Sequence, residues 1–323
     1  MKTVLLTALA VASAAMLAAA QAPLRPAPRT ELMMVTGSES GTYYTIGRDI
    51  KRLLDEVVPE AGIDLAVVPS QGALQNVIDV FRYRAIQLGI TQSDVLAYLE
   101  LYARGDADAR RVVGGLQIVQ RLYDEDVYLF ARPGIGGLGD LTGKRVDIGP
   151  AGSGTTVSSL VLLHLAGVEP REIVNLVEPT AAITALRKGR IDAFFRVSAT
   201  PADYLREGIS VSHGFVLVPV RLNPKPGTEP LARHYTPSTI PARAYPWLDH
   251  PVDTVKIRTM LVTSGAPAGS PVCDAIGRLT RIVAEQGAWL QARGRYTWKD
   301  FPAAADVLAD PRVSPCVAQA FRR

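Results

Sequence analysis

The chain is short of the residues that mark most chemistries. Among its 323 residues there are four histidines and two cysteines. His164, His213, His234 and His250 are scattered, and none has the spacing of a zinc site. His164 falls on the apolar stripe of a predicted helix, which is a core or boundary position. No metal or cofactor is required by any motif. Aromatic residues make up 7% of the chain, and the net charge is +4. The basic residues are dispersed, so the chain lacks the basic stripe and stacking platform of a nucleic-acid groove. There is no G-x-S-x-G nucleophile elbow and no evident set of acid, base and nucleophile, so an enzyme is not expected. After residue 20 no run is apolar enough to span a membrane.

One absence is more specific. Residues 149–156 read GPAGSGTT. The G-x-x-x-x-G of a Walker loop runs from Gly149 to Gly154, but Thr155 stands where the lysine belongs. The loop is shaped for an anion and lacks the charge that grips a nucleotide's terminal phosphates.

What is present begins with export. Lys2 is the only charge before Arg25, and an apolar run ends in Ala18, Ala19 and Ala20. A basic start, an apolar run and a small-residue exit predict a signal peptide over residues 1–20. The run is also just long enough for an uncleaved anchor. Residues 21–30, rich in proline and polar groups, read as a linker. In an oxidising compartment Cys273 and Cys316 are expected to be bridged, the alternative being two buried thiols.

The middle of the chain says the same thing twice. A strand ELMMVT, the stretch GSESGT, a helix with Ile46, Ile50, Leu53, Leu54 and Val57 on one stripe, then strand, helix and strand form the first copy. KRVDIG, GSGT, the helix TTVSSLVLLHLAG ending at Gly167, then EIVNLVEP, AAITALRKG and IDAFFRV form the second. Such alternation predicts an α/β protein with parallel sheets and helices on both faces. Two copies predict two lobes. Ser-Gly-Thr recurs at matched places, Ser40–Thr42 and Ser153–Thr155, each after a strand and at a helix start. Ligands sit at the carboxyl ends of strands in open α/β sheets, and a helix start there offers unpaired N–H groups and a partial positive charge. Two such starts facing each other make an anion clamp without lysine. Read singly, the tripeptide is also a plain helix cap.

Four stretches in order resemble TAXI-type solute receptors of TRAP transporters: GTYYTIGRDI, LGITQSD, LTGKRVDIGPAGSGTT and GRIDAFFRVSATP. The resemblance covers the chain from about Glu31 to its tail. It implies a type II periplasmic binding protein fold, with two lobes, a ligand cleft and hinge strands. It also implies a small carboxylate or amino acid such as glutamate as solute, and an ion-driven membrane permease as partner. The chain departs from the pattern at Glu39, at PSQGALQN, and at Arg196, Val197, Ser198 and Ala199, all at expected cleft positions.

The expected binding residues are Gly41, Thr42 and Tyr43 at the first helix start, and Ser153, Gly154, Thr155 and Thr156 at the second. Gln92 and Ser93 follow a strand, and Gln71 and Gly72 enter the second helix with further N–H groups. Tyr43 and Tyr44 can also serve packing. Asp94 reads either as a cleft residue or as the cap of VLAYLELYA, capping being preferred. Arg196 suits a bidentate carboxylate or a salt bridge. Of Phe194 and Phe195 one faces the core and the other, Phe195, is expected to touch ligand. The long stretch through residue 130 and the strand TVKIRTMLVTSG are the two crossings, so lobe I takes residues 31–130 and 256–323, and lobe II residues 131–255. The expected protein is a periplasmic solute receptor that closes on its ligand, leaning towards an amino acid because Glu39 and Asp94 are acidic. A sensor or partner-binding protein on the same fold without a transport role is the alternative, with an enzyme on that fold ranked behind it.

Overall fold

The computed structural model describes residues 29–294, 296–301 and 308–322. The expected signal peptide and nearly all of the linker lie outside the described residues. The strands are β1 (Thr30–Val35), β2 (Ile63–Val68), β3 (Leu88–Gln92), β4 (Gln117–Ala131), β5 (Arg145–Asp147), β6 (Glu172–Val174), β7 (Ala193–Ser198), β8 (Val216–Val218), β9 (Tyr235–Ile240) and β10 (Val252–Thr263). The helices are α1 (Thr42–Glu56), α2 (Ala73–Arg82), α3 (Val95–Tyr102), α4 (Ala107–Gly115), α5 (Gly154–Ala166), α6 (Pro179–Arg187), α7 (Asp203–Gly208), α8 (Glu229–Ala232), α9 (Pro271–Glu285), α10 (Gly287–Arg293) and α11 (Pro315–Ala320).

The strands form one path in the order β2-β1-β3-β10-β4-β7-β5-β6, with β8 on β4 and β9 on β10. Lobe I holds parallel β1, β2 and β3, and lobe II holds parallel β5, β6 and β7. Two long antiparallel strands, β4 and β10, run through both. At about 3.3 Å per residue, the 15 residues of β4 reach roughly 50 Å, enough to cross two lobes. β4 pairs with β7 only from Asp126 to Ala131. β10 pairs with β9 up to Ile257 and with β3 from Thr259. β4 thus takes up its lobe II partner at Asp126, and β10 changes partner around Arg258.

The helices form where the apolar spacing requires. α1 buries Ile46, Ile50, Leu53 and Leu54 on one stripe against the lobe I sheet. Gly167 ends α5 in the left-handed conformation at φ 65°, which glycine adopts without a Cβ clash. α9 starts on Ser270, whose hydroxyl accepts from the Cys273 N–H, with Pro271 in the first turn. α9 returns to lobe I and packs on β1 and β4. Cys273 and Cys316 are bridged, which fastens α11 to α9.

The lobes also meet away from the hinge strands. Ala97, Tyr98 and Leu101 of α3 pack in the lobe II core. Within this seam Asp94 is fully buried and accepts from the Ser158 hydroxyl at 2.6 Å and the Tyr235 hydroxyl at 2.9 Å. Asp94 stands at the cap position of α3 but makes no side-chain cap hydrogen bond. The capping reading of Asp94 is thus corrected: its carboxylate joins the lobes, because two hydroxyls from the facing lobe reach it in a space closed to water.

Candidate ligand-binding cleft

A cleft of about 350 Å³ opens between the lobes at the carboxyl ends of the strands. Lobe I lines it with Gly37, Ser38, Ser40–Tyr43, Ser70–Gly72, Gln92 and Glu125. Lobe II lines it with Pro150, Ser153–Thr155, Val177, Glu178, Arg196–Ser198 and Ala202–Tyr204. A roomier depression of about 600 Å³ lies between Val220–Leu222 after β8, β9 and β10. None of its lining residues carries a buried polar atom without a partner, whereas the interlobe cleft has two. Unmet buried polar groups cost free energy unless something fills their need, so the interlobe cleft is the candidate site.

The lobes touch along one edge of it. The N–H groups of Leu74 and Gln75 donate to the Gly152 carbonyl at 3.1 and 3.3 Å. Gly72, at φ 120°, lies where an added Cβ would sit 3.3 Å from the Ser153 Cα. Gln71 and Gly72 do line the cleft, but their N–H groups are occupied by the Gln75 and Ser70 side chains. The expectation that they offer free donors is corrected: the turn before α2 consumes its own N–H groups.

Both Ser-Gly-Thr starts face the cleft. At α1 the cap residue is Gly41, with no side-chain cap bond. Among the described residues the N–H groups of Thr42, Tyr43 and Tyr44 meet no acceptor. At α5 the cap residue is Ser153, whose hydroxyl accepts from the Thr156 N–H at 3.2 Å. That leaves the N–H groups of Gly154 and Thr155 without an acceptor among the described residues. The Thr155 hydroxyl accepts from the Val197 N–H at 3.1 Å, leaving its own hydrogen free to donate.

Arg196 stands on β7 and is 4% exposed. Its Nη1 donates to Oδ2 of Asp147 at 2.7 Å and to the Phe195 carbonyl at 2.6 Å. Asp147 is completely buried and also accepts from the N–H groups of Gly149 and Leu176. With Asp147 held by two backbone donors, the guanidinium is fixed and its Nη2 is left buried without a partner among the described residues. The salt-bridge reading of Arg196 is met at Nη1, and Nη2 is left over for the other.

On the opposite side lies Glu125, a residue the sequence reading passed over within the crossing strand. Its Oε2 accepts from the Tyr43 hydroxyl at 2.9 Å, Gln92 Nε2 at 2.9 Å and the Thr259 hydroxyl at 3.0 Å. Burial pushes this carboxyl from 4.5 up to about 7, against the pull of those three donors. The signal was available: Tyr123, Glu125 and Val127 share the inward face of a strand, and a carboxylate among apolar residues there is unusual.

Three expected contacts lie elsewhere. The Thr156 hydroxyl turns into its own loop, donating to the Pro150 carbonyl at 2.6 Å, so it serves the turn. The Ser93 hydroxyl points to the His234 carbonyl at 3.5 Å, because side chains alternate and Gln92 takes the cleft side. Phe195 is fully buried in the lobe II core, and Phe194 is buried on the other face of the sheet, so neither lines the cleft. Glu39 is exposed and Asp94 sits in the seam, so the acidic pair behind the amino-acid leaning is replaced by Glu125.

Two α/β lobes, two crossing strands and paired helix starts turned into the groove define the two-lobed fold of the type II periplasmic binding class. The family follows from the sequence itself: residues 34–272, well over half of the chain, match the model of the NMT1-like family, to which the chain belongs. Among solved structures the chain is similar to the effector-binding domain of QuiR in complex with shikimate, at 12% identity, 85% of this chain, 100% of that one and a TM-score of 0.46. It is similar to a Xanthomonas citri protein solved with ATP, at 16% identity, 90% and 97% coverage and a TM-score of 0.48. It is also similar to the substrate-binding protein of an amino acid ABC transporter, at 11% identity, 81% and 98% coverage and a TM-score of 0.45.

Proposed function

We propose that the protein is an exported receptor that captures a small organic acid or amino acid between its lobes and delivers it to a TRAP-type permease. One observation carries the binding reading. The Arg196 Nη2 is buried, unpartnered and fixed by Asp147 at the wall of the cleft. A ligand carboxylate supplies what it lacks, in a charge-assisted bond. The free N–H groups at the starts of α1 and α5 add donors on either side. Glu125 on the opposite wall gives an amino acid's ammonium an acceptor. The cleft volume suits a solute of that size rather than a polymer. The permease, the periplasmic location and the signal peptide rest on the resemblance and on residues 1–20.

The test is a thermal-shift panel of small carboxylates and amino acids against the mature protein. A solute at about 100 times its Kd stabilises the folded state by about 2.7 kcal/mol. A panel in which no small acid or amino acid raises the Tm overturns the binding reading. Export is checked separately by cell fractionation and the mass of the mature N-terminus. Delivery is checked by solute uptake into vesicles carrying a TRAP permease, with and without the receptor.

A further inference from the structure

The cleft holds two buried polar atoms without partners among the described residues, Nη2 of Arg196 and Oε1 of Gln92. The first is a donor and fits an acid. The second is an acceptor, and a bare anion gives it nothing. Its orientation is set from behind, where the Nε2 of the same amide donates to Glu125.

Among the described residues the groups hydrogen-bonded to Glu125 all donate to it: to Oε2 the hydroxyl of Tyr43 from α1, the amide of Gln92 from β3 and the hydroxyl of Thr259 from β10, and to Oε1 the hydroxyl of Tyr123 from β4 at a long 3.4 Å. A carboxylate accepts all of these. A carboxylic acid has an O–H of its own that needs an acceptor. The Tyr43 and Thr259 hydroxyls have no second acceptor among the described residues, so turning one around strands its hydrogen. The Tyr123 hydroxyl, at 3.4 Å, stands beyond the range of about 2.5–3.0 Å for an O–H···O bond and is a poor acceptor for the new proton. The Gln92 amide has a ready acceptor in Oε1. Half a turn brings Oε1 to Glu125 and carries Nε2 to the place Oε1 held. That place lies against Gly154, where a Cβ would fall on Oε1 itself. The missing side chain leaves the amide open towards lobe II.

We propose that the proton on Glu125 decides which end of the Gln92 amide faces the cleft, an acceptor when Glu125 is ionised and a donor when it is protonated. The inference deepens the solute-receptor reading and rests on that reading for its purpose: one proton changes the hydrogen-bonding sense of the site. Near neutral pH both states are populated, since burial lifts the carboxyl to about 7. The other charged and titratable groups around it act as follows. The negative Asp94 favours the protonated form. Tyr43, Tyr123 and Tyr204 are phenols, with Tyr43 and Tyr204 driven upward by burial and so neutral in this range. Arg196, across the cleft, is paired with Asp147.

The experiment is an NMR titration of the solute-free protein, labelled at glutamate carboxyl carbons and glutamine side-chain nitrogens, from pH 5 to 9. Glu125→Gln and Gln92→Leu assign the two signals. The expected result is a Glu125 midpoint at about 7, with the Gln92 amide resonances moving at the same midpoint. In Glu125→Gln they stay at their low-pH position throughout, since the new amide also donates to Oε1. Gln92 resonances that hold still while Glu125 titrates overturn the proposal, as does a Glu125 midpoint near its ordinary value. Should Glu125→Gln fail to fold, the wild-type titration decides alone. No solute is present, so a blank thermal-shift panel and an unmoved amide are separate failures.

Discussion

The two halves of the cleft start from the same three residues and use them in different frames. In lobe I the glycine of Ser40-Gly41-Thr42 is the helix cap, and three N–H groups are left open. In lobe II the serine of Ser153-Gly154-Thr155 is the cap, and its hydroxyl consumes one N–H. The tripeptide has slipped by one residue. In lobe I it presents donors and stands beside Glu125 and Gln92. In lobe II it locks its own turn, and the strongest donor comes instead from Arg196. A repeated motif thus fixes where a helix begins to within a residue, and that last residue decides whether the start leaves three N–H groups open, as at α1, or two, as at α5.

The largest effect should come from removing the lobe II pole. Arg196→Met leaves Asp147 buried without its cation, at a cost of about 3–5 kcal/mol, a Tm lower by roughly 5–15 °C. Adding Asp147→Asn should recover part of it. A loss under about 1 kcal/mol by chemical denaturation would show that the pair does not hold the lobe II wall.

The lobe I pole should instead show itself through pH. Glu125 keeps its proton up to about 7 in the folded state and to 4.5 when free of it. The folded state therefore binds more protons between these values, and stability falls as pH rises from 4.5 through 7. Relative to wild type, Glu125→Gln should gain up to about 3 kcal/mol across that window. Parallel stability profiles for the two proteins would contradict the assignment.

A smaller effect separates the two glycines. At Gly154 an added methyl lands on the Gln92 amide, so Gly154→Ala must push Gln92 off Glu125 or part the lobes. About 1–3 kcal/mol of closure should be lost, roughly 5- to 150-fold in solute affinity by calorimetry. At Gly41 the same methyl meets the Ser38 carbonyl at 3.0 Å, a contact within lobe I. Gly41→Ala should lower stability and leave closure intact; equal affinity losses at both would erase the distinction. Smallest of all, Ser153→Ala should cost about 1 kcal/mol as a lost cap, while Ser40→Ala, outside the helix, should cost close to nothing by denaturant titration.

Much of this was legible in the sequence. The strand–helix alternation, the duplicated tripeptide and the two crossing stretches follow from period and order, and the structure has the same elements. Gly41, Thr42, Tyr43, Gln92, Ser153, Gly154, Thr155 and Arg196 come together at one cleft. What was hidden depends on side-chain direction and partners far along the chain. Ser93 and Phe195 lose to strand alternation. Thr156 loses to three carbonyls of its own loop. Asp94 looked like a cap because its neighbours in sequence are a helix, while its partners, Ser158 and Tyr235, are 64 and 141 residues away. Glu125 needed Thr259 and Tyr43 to be recognised as a site residue. Local pattern can place a helix start, but it cannot see who stands opposite.

The tail of the chain carries one more consequence. Lobe II draws its core from β4 through Ile257 in the first half of β10, whereas lobe I also needs the rest of β10, α9 and the strip around Val313, which pairs with Ile118. As the chain emerges from a ribosome, lobe II can be assembled while lobe I still lacks α9 and the C-terminal strip. Lobe I is finished only when α11 docks and Cys316 meets Cys273. The interlobe cleft, which needs both lobes, is therefore completed after lobe II rather than with it.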